Sequence, residues 1–129
     1  MMIRPRRSAL YMPGSNARAL EKAKSLPADV VILDLEDAVA PEAKAAARAQ
    51  VCAAVLAGGV ARREVVIRIN GLSTPWGEED LAAAADARPD AILVPKVSSA
   101  EALAMVGRRL AAQKADQATR VWAMIETPA

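Results

Sequence analysis

Val30-Val-Ile-Leu-Asp-Leu-Glu-Asp37 decides how this chain is read: an apolar run ends directly in three carboxylates. Val30 to Leu33 is short, β-branched and without polar alternation, the pattern of a strand buried on both faces of a parallel sheet. Asp34, Glu36 and Asp37 then crowd its C-terminal end. Like charges this close need a cation, a metal ion or full solvation to offset their repulsion. In α/β folds the C-terminal ends of strands are also where chemistry is housed. The stretch therefore predicts a parallel sheet and a site at one end of it.

Strand and helix signals alternate on either side. Ser8 to Met12 reads as a strand closed by Pro13-Gly14, and Ser15 or Asn16 can cap a helix carrying Leu20, Ala23 and Leu26. Pro41 suits a first helical turn and opens a long Ala-rich helix that stops at Gly58-Gly59. Val65 to Asn70 is a third strand, Gly71 to Gly77 a loop with Trp76, Glu78 to Ala87 a short helix, and Ala91 to Val94 a fourth strand halted by Pro95. Ser98-Ser-Ala-Glu101 has capping-box spacing before a helix presenting Leu103, Val106 and Leu110, and Arg120 to Ile125 is a fifth strand. Strands recur about every 30 residues, the size of a β/α unit. The expected fold is α/β: parallel units forming the N-terminal five strands of a truncated (β/α)8 TIM barrel, residues 1–129 making one partial barrel domain. A complete doubly wound five-stranded domain is the alternative; the want of a helix after the fifth strand counts against it.

Composition removes several functions. The 129 residues carry a net charge of +2 and no aromatic residues interleaved with basic ones, which speaks against nucleic acid. There is no histidine, so His-based triads and imidazole bases are excluded within this sequence. The one cysteine, Cys52, lies in a helical segment with Val55 and Leu56 and reads as a small core residue. No apolar run approaches the ~20 residues of a membrane span. The start lacks the apolar region of a secretory signal, so a cytoplasmic protein is expected.

Strand alternation assigns faces. Ile32, Asp34 and Glu36 share one, as do Val66, Arg68 and Asn70; Lys96 follows Ile92 and Val94, and Glu126 follows Trp122 and Met124. Four strand ends would thus make a charged mouth around one axis. An arginine inside Val-Val-Ile-Arg-Ile-Asn needs a partner, because an unpaired buried guanidinium is very costly. It can pair with Asp34 or Glu36, bind a substrate carboxylate through its planar fork, or do both. Glu126 with Glu36 and Asp37 makes a hard-cation site such as Mg2+ plausible without histidine. Lys96 is either solvated or catalytic. The Pro13-Gly14-Ser15-Asn16 turn offers a weak phosphate-site signal.

Five segments in order resemble the HpcH/HpaI aldolase and citrate lyase β-subunit family, nearest its citrate lyase β-like and malyl-CoA lyase-like branch. They are Arg7-Ser-Ala-Leu-Tyr-Met-Pro-Gly-Ser-Asn16, Leu33-Asp-Leu-Glu-Asp-Ala-Val39 with Pro41 and Lys44, Val66-Ile-Arg-Ile-Asn70, Pro95-Lys-Val97 and Met124-Ile-Glu-Thr127. The resemblance implies a Mg2+-dependent carbon–carbon lyase that cleaves, or condenses, a 3-hydroxyacyl thioester such as citryl-, malyl- or citramalyl-CoA. The products would be an acyl thioester and an oxo acid. By motif, Glu126 would be a direct Mg2+ ligand, and the second, an aspartate about one β/α unit further on, falls outside this chain. Arg68 would hold the oxo-acid carboxylate, and Glu36 and Asp37 would orient the waters of the metal. Arg7 would meet the phosphates of CoA or of an acyl-carrier-protein arm, with Lys96 a further substrate contact. Assembly as a homo-oligomer is expected for the full-length protein. The 129-residue segment alone is expected to bind Mg2+ weakly, to lack lyase activity and to self-associate through unpaired strand edges. Two competing readings are a non-catalytic subunit or barrel remnant with an assembly role, and a different carboxylate-rich barrel enzyme acting on a phosphoenolpyruvate- or pyruvate-type substrate.

Overall fold

A computed structural model describes residues 9–14, 18, 29–36, 39–56, 64–71, 74–95, 104–108 and 120–123. Five strands form one sheet: β1 (Ala9–Pro13), β2 (Val30–Asp34), β3 (Glu64–Arg68), β4 (Ala91–Val94) and β5 (Arg120–Ala123). Every neighbouring pair is parallel, and spatial order follows sequence order from β1 to β5. A doubly wound sheet reverses its strand order at a switch point. This sheet has no reversal, which removes the doubly wound alternative and leaves an arc of a (β/α)8 barrel.

The strands form where they do because their residues are buried on both faces. Every residue of β2, β3 and β4 is buried, which alternating amphipathic strands could not sustain. Two apolar clusters result. The larger joins Val31, Leu33, Ile67, Ile92 and Val94 to the helices, through Ala47, Val51, Leu81 and Ala84 among others. The smaller, on the opposite face of the sheet, is Val30, Ile32, Val66, Ala91 and Leu93. The helix-covered face carries the main core, and the other is the inner wall of the arc.

Helix α1 (Lys44–Leu56) follows a 3-10 turn at Pro41–Ala43 and buries Lys44, Ala47 and Val51, a stripe at i, i+3 and i+7. Helix α2 (Gly77–Ala87) opens with Glu78, Glu79 and Asp80, acids that suit the positive end of the helix dipole. It ends at Arg88, left-handed at φ 57°, followed by Pro89. A helical segment at 104–108 buries Val106 against the main core, as its apolar spacing predicts. The predicted helix with Leu20, Ala23 and Leu26, the Gly58-Gly59 stop and the Ser98 capping box lie outside the described residues. Among the described residues no helix is long and apolar enough to cross a membrane.

At the N-terminal end of the sheet, Asp90 accepts a bond from Val65 N at 2.7 Å and returns one from its own N to Val65 O at 2.9 Å. These contacts secure strand pairing at the end of a barrel where conservation of structure, not chemistry, is usually housed.

Candidate functional site

The C-terminal ends of β2 and β3 carry the polar groups. The register places Asp34 opposite Arg68. Arg68 Nε donates to Asp34 Oδ1 and Nη2 to Asp34 Oδ2, both at 2.7 Å, a two-point ion pair. Asp34 is 1% exposed and Arg68 7%. Glu36 is buried beside them, its Oε1 3.7 Å from Arg68 Nη1, too long for a hydrogen bond but close for a charge pair. The Glu36 amide also donates to Asp34 Oδ1 at 2.9 Å. Tyr11 from β1 lays its ring against the guanidinium, 4.8 Å from centroid to Cζ. The hydrogen bonds to Asp34 push the guanidinium above its ordinary pKa; burial opposes that, and the Asp34 and Glu36 charges add to the rise. Arg68 is a fixed cation at any working pH.

Gly14 brings β1 close to this rim. Its N donates to Asp34 O at 2.8 Å, and a Cβ there would stand 2.7 Å from that same oxygen and 2.8 Å from Val51 Cγ2. Only glycine permits the approach.

A second polar network lies behind the first. Lys44 of α1 donates to Leu35 O (3.2 Å), Glu36 O (3.0 Å) and Asn70 Oδ1 (2.8 Å), with the Trp76 ring centroid 5.0 Å away. Asn70 Nδ2 donates to Leu35 O at 2.9 Å and to Asp80 Oδ2 at 2.6 Å, and Asn70 N donates to that same Asp80 oxygen at 3.0 Å. The other Asp80 oxygen accepts from Arg48 Nε at 2.8 Å, and Arg48 Nη1 reaches Glu79 at 2.9 Å. Burial alone would lower the Arg48 pKa; its bonds and charge pairing with Asp80 and Glu79 carry it upward.

Asn70 corrects the face expected from alternation. β3 ends at Arg68, and two residues on Asn70 bonds to side chains of both helices instead of sharing the face of Arg68. Ile92 and Val94 lie in the helix-facing cluster and Leu93 on the inner wall, so Ile92 and Val94 do not share the face of Asp34 and Arg68. The structure thus brings together Arg68, Glu36 and Asp34. Arg7, Asp37, Lys96 and Glu126 lie outside the described residues. Lys44, Asp80 and Trp76 received no role from the sequence. The available signal was a charged residue on a buried helical stripe: Lys44 with Ala47 and Val51, Asp80 with Leu81 and Ala84.

Among the described residues no three His, Cys, Asp or Glu side chains form a metal-ligand set. Both Asp34 oxygens are bonded to Arg68, which leaves that carboxylate a brace. Glu36 supplies the hard oxygen donor that Mg2+ chemistry favours. One such donor suits an outer-shell contact to a hard cation and does not by itself make a metal site.

A parallel sheet wound in sequence order, with an arginine–carboxylate cluster at its C-terminal rim, is the build of a (β/α)8-barrel protein. The chain belongs to the HpcH/HpaI aldolase/citrate lyase family, which it matches over residues 7–129. It is 49% identical over 123 residues to a (3S)-malyl-CoA thioesterase of Cereibacter sphaeroides, covering 95% of this chain and 41% of that protein. An L-malyl-CoA/β-methylmalyl-CoA lyase of the same species is 45% identical over 100 residues, 75% of this chain and 31% of that one. Among solved structures, a citrate lyase β subunit of M. tuberculosis complexed with oxaloacetate and magnesium superposes with a TM-score of 0.72 at 33% identity, covering 95% of this chain and 49% of that one. The chain thus spans about two fifths of the length of the malyl-CoA thioesterase it matches.

Proposed function

We propose that this sequence forms the N-terminal five strands of one barrel domain in a Mg2+-dependent carbon–carbon lyase. Its substrate would be a 3-hydroxyacyl thioester of CoA or of an acyl carrier protein, its products an acyl thioester and an oxo acid. The observation that carries the reading is the rim cluster. A buried, permanently charged guanidinium is held by Asp34 through its Nε and Nη2, beside a second carboxylate, Glu36.

Asp34 fixes the plane of the fork, and Tyr11 supports one face of it. A small oxo-acid carboxylate would be held on the Nη1/Nη2 edge, since Asp34 occupies the other. Glu126 would be a direct Mg2+ ligand, with Glu36 and Asp37 orienting its waters. When bound, Mg2+ would polarise the oxo-acid carbonyl as a Lewis acid. Arg68 would stabilise the 3-alkoxide from which cleavage starts; as the carbon–carbon bond breaks, that oxygen becomes the oxo-acid carbonyl and the charge passes to the thioester enolate. Arg7 would bind the phosphates of the thioester carrier, and Lys96 would contact substrate. Assembly of the whole protein as a homo-oligomer and a cytoplasmic site of action belong to the same proposal.

Thioester hydrolysis is the second reading, favoured by the 49% identity to a malyl-CoA thioesterase. Product analysis separates the two. The full-length natural protein, given malyl-CoA and Mg2+, should yield acetyl-CoA and glyoxylate with no free thiol, and chelation should stop it. Release of malate and free CoA would replace the lyase reading by the hydrolase. Turnover of neither malyl-, citramalyl- nor citryl-CoA would overturn both.

A further inference from the structure

Lys44 is a cation on the buried stripe of α1, 6% exposed, and its ammonium has three protons and no acceptor. Those protons meet three uncharged oxygens: Leu35 O, Glu36 O and Asn70 Oδ1. The first two belong to consecutive peptide groups, the ones that join Leu35 to Glu36 and Glu36 to Asp37. The ammonium therefore grips the backbone on both sides of Glu36.

Burying an ammonium is costly, and stability alone would be served by a neutral donor. What the ammonium adds is a three-way grip at one point. The assembly around it is braced in turn: Trp76 flanks the amine at 5.0 Å, Asp80 fixes Asn70, and Arg48 fixes Asp80. Lys44 of α1 holds both peptide groups, Asn70 just past β3 holds the first of them, and α2 braces Asn70 through Asp80.

We propose that Lys44 is a positioning residue for Glu36. It sets the direction in which the Glu36 carboxylate leaves the end of β2, and through that the hold of the site on Mg2+. The inference rests on the Mg2+-dependent lyase reading and extends it to a residue that touches neither substrate nor metal. Lys44 acts through carbonyl groups, so its effect does not depend on the side chains between them.

The test compares Lys44→Met with Ile92→Ala, a core truncation on β4, in the full-length natural protein. Amide hydrogen exchange should rise in Lys44→Met at Leu35, Glu36 and Val39, whose N–H groups bond to Arg68 O, Asp34 Oδ1 and Glu36 O. The ladder between β3 and β4 should keep its protection. Calorimetric titration with Mg2+ alone should show affinity lower by about tenfold or more, the usual effect of losing an outer-shell support. Ile92→Ala should lower the melting temperature and leave the Mg2+ affinity unchanged. Should Lys44→Met not fold, Lys44→Arg keeps the charge, but its planar fork does not reproduce the three-way grip, and it should show the same two effects at smaller size. Wild-type protection at the three amides, or wild-type Mg2+ affinity in a folded Lys44 variant, overturns the proposal. Absence of Mg2+ binding by the wild-type protein would instead overturn the lyase reading, and amide exchange would still decide whether the clamp exists.

Discussion

Removing Asp34 and Arg68 one at a time and then together tests whether their pairing serves the site more than the fold. In Asp34→Leu the guanidinium stays 7% exposed in the parent geometry and keeps Glu36 at 3.7 Å as a weaker partner. Breaking a buried pair from one side costs about 3–5 kcal/mol, and the remaining Glu36 argues for the lower end, about 3 kcal/mol. Arg68→Met leaves Asp34 and Glu36 close together without their cation, so the upper end, about 5 kcal/mol, applies. The two carboxyls then favour their protonated forms in the folded state, with pKa values above the unfolded ones. Stability contributed in this way is present at low pH and lost as pH rises, so Arg68→Met should be more stable near pH 5 than at pH 7. The double variant Asp34→Leu/Arg68→Met replaces the pair by apolar groups and should be less destabilised than either single variant. Urea unfolding reads these effects directly; with a slope of about 2 kcal/mol/M, a loss of about 3 kcal/mol moves the midpoint by about 1.5 M. A double variant whose loss equals the sum of the singles to within about 0.5 kcal/mol would refute the reasoning.

Gly14→Ala should cost about 1–3 kcal/mol, because its Cβ would press on Asp34 O and Val51; an unchanged thermal midpoint would contradict the tight approach of β1. Asp80→Ala strips the fully buried acceptor of Arg48 and Asn70 and should cost about 3 kcal/mol or more by chemical denaturation, whereas Glu79→Ala, at the exposed end of the same arginine, should cost under about 1 kcal/mol. Burial pushes the Cys52 thiol pKa up, with the nearby Asp80 charge adding to the rise. The unfolded thiol therefore ionises first, and stability should fall as pH rises above the ordinary thiol range of about 8.5. Cys52→Ser should remove that part of the slope, and an unaltered slope would show that other groups produce it.

Local properties of this fold are legible in the sequence, and those that depend on a partner far along the chain are not. The run Val30 to Leu33 is apolar and β-branched, and nothing in the fold overrides that preference. Pro41 marked the start of the helical region because a proline loses nothing in a first turn. The Asp34–Arg68 pair was accessible because neighbouring parallel strands bring their corresponding ends together. Asn70 leaves the face that alternation assigns to it because alternation holds only while the ladder continues, and β3 ends two residues earlier, at Arg68. Past that point Asp80, ten residues on, decides where the side chain goes. Lys44 binds Asn70 across 26 residues and Arg48 binds Asp80 across 32, separations that no local pattern encodes.

Calorimetric binding of oxaloacetate to the full-length protein in the presence of Mg2+ tests the central claim most directly. The guanidinium fork of Arg68, held by Asp34, is proposed to grip the oxo-acid carboxylate beside the metal. Wild-type protein should bind the oxo acid only with Mg2+ present, and Arg68→Lys, which keeps the charge and loses the fork, should weaken binding by about tenfold or more while Mg2+ alone still binds. Equal oxaloacetate affinity in the wild type and Arg68→Lys would contradict the account.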